Sequence, residues 1–150
     1  LRGIREQQQR DLLKIRAKDE GVVYDILDGT LNKEGGKSIL LDETKKDVLG
    51  ILGRGLEEYQ SLPVESKEDR KELIGWVEKK EIVKRIYGCN DQEVPGYMEI
   101  IQYHLRGVIK TLEDFISPGD KKELVENKRV GRYNSYYRLN PDVFEVSESD

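Results

Sequence analysis

The sequence predicts a mainly α-helical protein that carries one small β-hairpin near its C-terminus. Three observations support that expectation. Apolar residues recur at helical spacing along much of the chain, most plainly from Tyr97 to Ile116. Glycines and prolines fall between those stretches, where helices stop. Only over residues 122–140 does the pattern become two short β-prone runs around a tip rich in Gly and Asn.

Residues 2–28 read as a polar helical arm, with Ile4, Leu12, Ile15, Val22, Val23, Ile26 and Leu27 as interrupted apolar positions. The segment GTLNKEGGKS breaks it with Gly29, Gly35 and Gly36. A second helix starts at Asp42, a capping residue, and places Val48, Leu52, Leu56 and Tyr59 on one face as far as Gln60, before Pro63. Ser66 and Asp69 resemble a capping box that opens a short helix ending at Gly75. Trp76-Val77 is a two-residue apolar step, with Trp76 expected in the core. Glu78 to Tyr87 is a further helix, closed by Gly88. The connection from Gly88 to Gly96 is long and carries Asp91 and Glu93. The helix Tyr97 to Ile116 follows, with Ile101, Leu105, Val108, Leu112, Phe115 and Ile116 inward. Ser117-Pro118-Gly119-Asp120 is a turn into the hairpin, where Tyr137 and Leu139 face the core and alternation turns Tyr136 and Arg138 outward.

Composition narrows the function. A chain of 150 residues is the size of one domain with an appended arm, and 37% charged against 36% hydrophobic residues describes a globular protein with a heavily charged surface. No apolar run approaches the roughly 18 to 20 residues that cross a bilayer, so a soluble, cytoplasmic protein without membrane contact is expected. The lone Cys89 and the lone His104 supply neither a disulfide framework nor a Cys/His metal site. No cofactor is expected. The first residue, Leu1, suits a fragment or a processed chain.

Gly36-Lys37-Ser38 imitates half of a phosphate-binding loop. The other glycine of that motif would fall on Leu31, and no strand precedes it, so a nucleotide site is rejected. His104 has no nucleophile or carboxylate at catalytic spacing, and an enzyme is not expected.

Charge is distributed unevenly. The net charge is −4, yet residues 121–138 hold six basic side chains against two acidic ones, and residues 142–150 hold four acidic and none basic. A basic hairpin thus precedes an acidic tail.

GWVEKKEIVKRIYG (75–88) reads as a short strand and a helix, YHLRGVIKTLEDFI (103–116) as the end of a longer helix, and KELVENKRVGRYNSYYRLNP (122–141) as a basic hairpin. In that order they resemble the winged helix-turn-helix family over about residues 66–146. The likeness is to small prokaryotic, plasmid or viral regulators and replication factors. The resemblance implies a mainly α winged helix-turn-helix fold: an N-terminal arm and Gly-rich loop (1–40), a winged-helix domain (41–146) and an acidic tail (147–150). It also implies a protein that binds double-stranded DNA for transcription regulation, or as a replication or partition accessory factor, through helix 97–116 and wing 122–140. Gln102, Tyr103, Arg106 and Lys110 form the outward face of that helix, with Gln102 suited to adenine and Arg106 to guanine. Lys128, Arg129, Arg132 and Arg138 are expected along the phosphates, with Tyr133, Asn134 and Tyr136 adding hydrogen bonds or sugar contacts. A homodimer through residues 1–28 is expected, because one helix reads few base pairs. The alternative is a winged-helix protein-protein interaction module in a larger assembly, favoured by the net acidity and by Glu99 on the reading helix.

Overall fold

In Leu13-Lys14-Ile15-Arg16-Ala17 every second side chain is apolar, a period of two that suits a strand with one buried face. A computed structural model describes residues 13–18, 21–62, 74–116, 123–132 and 134–148 and shows that strand as β1 (Leu13–Ala17), with Leu13, Ile15 and Ala17 buried. It continues into β2 (Val22–Asp25), β3 (Thr30–Lys33) and β4 (Ser38–Leu40), an antiparallel meander. The helical arm expected over residues 2–28 is therefore overturned from Leu13 onward, and residues 1–12 lie outside the described ones. Gly36-Lys37-Ser38 falls in the β3–β4 hairpin: a strand does precede it, contrary to expectation, but Ser38 opens the strand β4 where a phosphate loop would open a helix.

Helix α1 (Glu43–Gln60) opens where expected. The Asp42 carboxylate accepts the Lys45 N–H at 2.9 Å, and this bond, with the charges of Lys45 and His104, holds its carboxyl below the ordinary aspartate value. Val48, Leu49, Leu52 and Leu56 are fully buried. α1 comes unusually close to its neighbours through two glycines. A Cβ on Gly53 would stand 2.7 Å from Ile15 Cδ1, and one on Gly55 would stand 2.7 Å from the Gly75 carbonyl oxygen.

After β5 (Val77–Glu78) come α2 (Lys79–Tyr87), a 3-10 turn (Val94–Tyr97) and α3 (Met98–Phe115). The hairpin is β6 (Val125–Val130) and β7 (Asn134–Leu139), and β5 pairs with β7, giving a three-stranded sheet in the order β5-β7-β6. Asn140 then turns the chain. It is buried, its side chain donates to the Glu123 carbonyl and accepts from the Asp142 N–H, and its carbonyl accepts from Val143 and Phe144. The acidic tail is in part a strand, β8 (Phe144–Glu148), which pairs with β1 and completes a five-stranded sheet in the order β4-β3-β2-β1-β8.

The mainly α expectation fails on this count: among the described residues there are three α-helices and eight strands in two antiparallel sheets, a mixed α/β fold. The physical reason is that the period-two alternation of Leu13–Ala17 suits a strand, and β1 is paired on both sides, by the adjacent β2 and by the distant β8, as in the bond from Arg16 Nε to Ser147 Oγ at 2.9 Å. One continuous core joins Ile15, Tyr24 and Leu31 of the large sheet to Leu52 and Leu56 of α1. It extends to Ile82 of α2, Ile101 and Leu105 of α3 and Leu139 of β7. The short helix expected between Ser66 and Gly75, and the turn 117–120, lie outside the described residues.

Candidate nucleic-acid interface

The inward face of α3 is fixed by Ile101, Leu105, Val108, Leu112 and Phe115, all buried, so residues 99, 103, 106 and 110 turn to solvent. Tyr103 is 73% exposed, and Arg106 and Lys110 are exposed on the same side. Glu99 shares that face at the start of the helix.

Gln102 sits on the flank toward the hairpin. Its side-chain oxygen accepts from Lys79 Nζ at 2.7 Å and from the Tyr137 hydroxyl at 3.2 Å. Bidentate pairing with adenine requires that oxygen; in this structure it instead ties α3 to the first residue of α2 and to β7.

The β6–β7 register assigns the remaining residues to two faces. Asn127 pairs with Tyr137 and Arg129 with Ser135, which puts Arg129 on the face of Tyr137, toward Gln102 and Lys79. Lys128 pairs with Tyr136 and Glu126 with Arg138 on the opposite face. Arg132 is exposed in the hairpin turn, Asn134 opens β7, and Tyr133 lies outside the described residues.

Arg138, expected along the phosphates, is engaged within the fold. Its side chain is 16% exposed and donates to Glu126 Oε1 at 2.8 and 3.1 Å, while the guanidinium lies 4.4 Å from the Trp76 ring centroid and 5.0 Å from that of Tyr59. Lys128 Nζ stands 5.9 Å from the Trp76 ring. Trp76 is consequently a half-buried platform for cations on the back of the hairpin rather than a core residue, because β5 places it beside Arg138 on that face.

Lys79 was not foreseen. It opens α2, where a cation opposes the helix dipole, and the helix has no side-chain cap at Glu78. Lys79 is held below the ordinary lysine value by burial, then by Arg129, then by Arg106. Arg129 of β6 and Arg106 of α3 thus both act on Lys79 of α2, and among the described residues no carboxylate lies within ion-pair distance of any of the three. The detectable signal was Lys79-Lys80 at the helix end that ordinarily prefers acidic residues.

His104 meets Tyr103 edge-on with ring centroids 5.6 Å apart, and Cys89 packs partly buried against the core. Among the described residues, no group of His, Cys, Asp and Glu is arranged to hold a metal ion, and no helix is long and apolar enough to cross a membrane. No known protein family, curated protein or solved structure matches the chain.

Proposed function

We propose that the protein binds double-stranded DNA through α3 and the β6–β7 hairpin in the manner of a winged helix, as a regulator of transcription or an accessory factor in replication or partition. The observation that carries this reading is the convergence of Lys79, Arg106 and Arg129. Nothing acidic among the described residues pairs with them, and burial, with the charges of Arg129 and Arg106 added to it, already weakens the protonation of Lys79. Such a cluster is relieved by a polyanion, and the uncapped N-terminus of α2 adds donors of the same sense. A helix about 10 to 12 Å across fits the major groove, where Arg106 offers a fork for guanine and Tyr103 an exposed ring. Arg132 at the turn and Lys110 farther along α3 are exposed and would add further cations to such an interface.

A second reading, docking of a protein partner, is favoured by Tyr103 and by Ile100, which is 47% exposed on the same helix. A mobility-shift titration on mixed duplex fragments at low salt separates the two. Binding that is lost in an Arg129→Ala/Arg132→Ala variant supports DNA. No shift at any protein concentration removes the DNA reading and leaves the protein-contact one.

A further inference from the structure

The two edges of the five-stranded sheet differ. At the β8 edge the side chain of Gln60 acts as a substitute strand: its oxygen accepts the Val146 N–H at 2.6 Å and its nitrogen donates to the Val146 carbonyl at 3.4 Å. At the β4 edge nothing comparable is present among the described residues. Ser38, Ile39 and Leu40 are all exposed, Leu40 to 72%.

The phase of the ladder says which groups are open. Lys33 N–H bonds the Lys37 carbonyl at 2.8 Å and Leu41 N–H bonds the Gly29 carbonyl at 2.9 Å, so residues 37 and 41 address β3. Ile39, opposite Leu31, does so as well. Alternation then turns the N–H and C=O of Ser38 and Leu40 away from the sheet. Four backbone groups on two residues of a three-residue strand, with no charged side chain or proline in it, form a template for another strand.

We propose that β4 pairs antiparallel with β4 of a second copy of this chain, with the two-fold axis at Ile39. The open groups are self-complementary about that residue: Ser38 of one copy exchanges two hydrogen bonds with Leu40 of the other, and the same happens again across the axis. The charges select the same alignment. β4 is entered from Lys33 and Lys37 and left into Asp42 and Glu43. An antiparallel pair centred on Ile39 puts Lys37 of one copy opposite Leu41 of the other and so lays the basic end of each β4 along the acidic Asp42–Glu43 end of its mate, whereas a parallel pair sets like against like. Leu40, otherwise exposed, gains cover, and two five-stranded sheets become one of ten strands. The inference is independent of DNA binding.

Sedimentation of the DNA-free protein over a rising concentration series tests it. A monomer–dimer equilibrium about the 17.4 kDa chain mass and its double is expected. Leu40→Pro removes an outward N–H while sparing every bond to β3, so it should weaken the dimer about tenfold or more with the circular dichroism unchanged. Ile39→Cys, made in a Cys89→Ser background, should form an intermolecular disulfide under mild oxidation, because directly opposed residues of a non-hydrogen-bonded pair have Cα atoms about 4.5 Å apart. A wild-type protein that remains monomeric throughout, or an Ile39→Cys protein that does not cross-link, overturns the proposal. Should Leu40→Pro fail to fold, the cross-link decides.

Discussion

Arg138 and Arg129 are nine residues apart on one hairpin, yet they do different work, because the pleat sends them to opposite faces. Arg138 is enclosed by Trp76, Tyr59 and Glu126. Arg138→Ala should lower stability in urea unfolding by about 2 kcal/mol, since Glu126 loses its partner and two rings lose a cation, while the salt dependence of DNA affinity stays unchanged. Lys79 behaves in the opposite way. Its proton is weakened by burial and by Arg129 and Arg106, and a bound phosphate reverses that. DNA affinity should therefore be full below the lowered value and fall as pH rises through it toward about 10.4, where free lysine loses its charge. Lys79→Arg should flatten that dependence in an anisotropy titration, since guanidinium stays charged. Alternation in the sequence placed Arg138 on the outer face of the hairpin. That this face is closed by Tyr59, from α1, was not legible in the hairpin itself.

At the scale of elements, α1 shows that a helix can be read correctly while its contacts are missed. Its start at Asp42 and its apolar stripe followed from capping and periodicity. Its glycines look alike in sequence but differ in what surrounds them. Gly50 has only Ile26 Cγ2 within 4 Å of an added Cβ, at 3.9 Å, an ordinary contact, so Gly50→Ala should raise stability by about 0.5 to 1 kcal/mol through helix propensity. Gly55→Ala meets the Gly75 carbonyl oxygen at 2.7 Å, with Gly75 itself at φ +84, and should lower the melting temperature despite the same gain in propensity. Thermal unfolding of the two variants side by side checks this. α2, α3, β5 and the hairpin were legible because each is local: a periodic stripe, a two-residue step, a turn. β1 to β4 were not. Each is three to five residues long, and two of them, read through the turn between, pass for an irregular amphipathic helix.

In the whole molecule, the large sheet holds the two ends of the described chain together. β8 closes on β1, so the residues read as an acidic tail fasten the hairpin to the N-terminal meander through Asn140. The β1–β8 closure spans the chain and leaves no local trace, while β1 to β4 pair locally but are too short for their alternation to stand out from a helical reading, so the fold class was misjudged although α1, α2, α3 and the hairpin were not. The same assembly gathers Lys79, Arg106 and Arg129 from three elements onto one surface, within a chain whose net charge is −4. The most direct test of that surface is the salt dependence of duplex-DNA affinity, measured for the wild type and for Lys79→Ala/Arg129→Ala. Loss of two phosphate contacts should lower affinity at every salt concentration and reduce the log–log slope by about 1.8. A slope unchanged by the double substitution, or no binding by the wild type at low salt, would contradict the assignment of this surface to DNA.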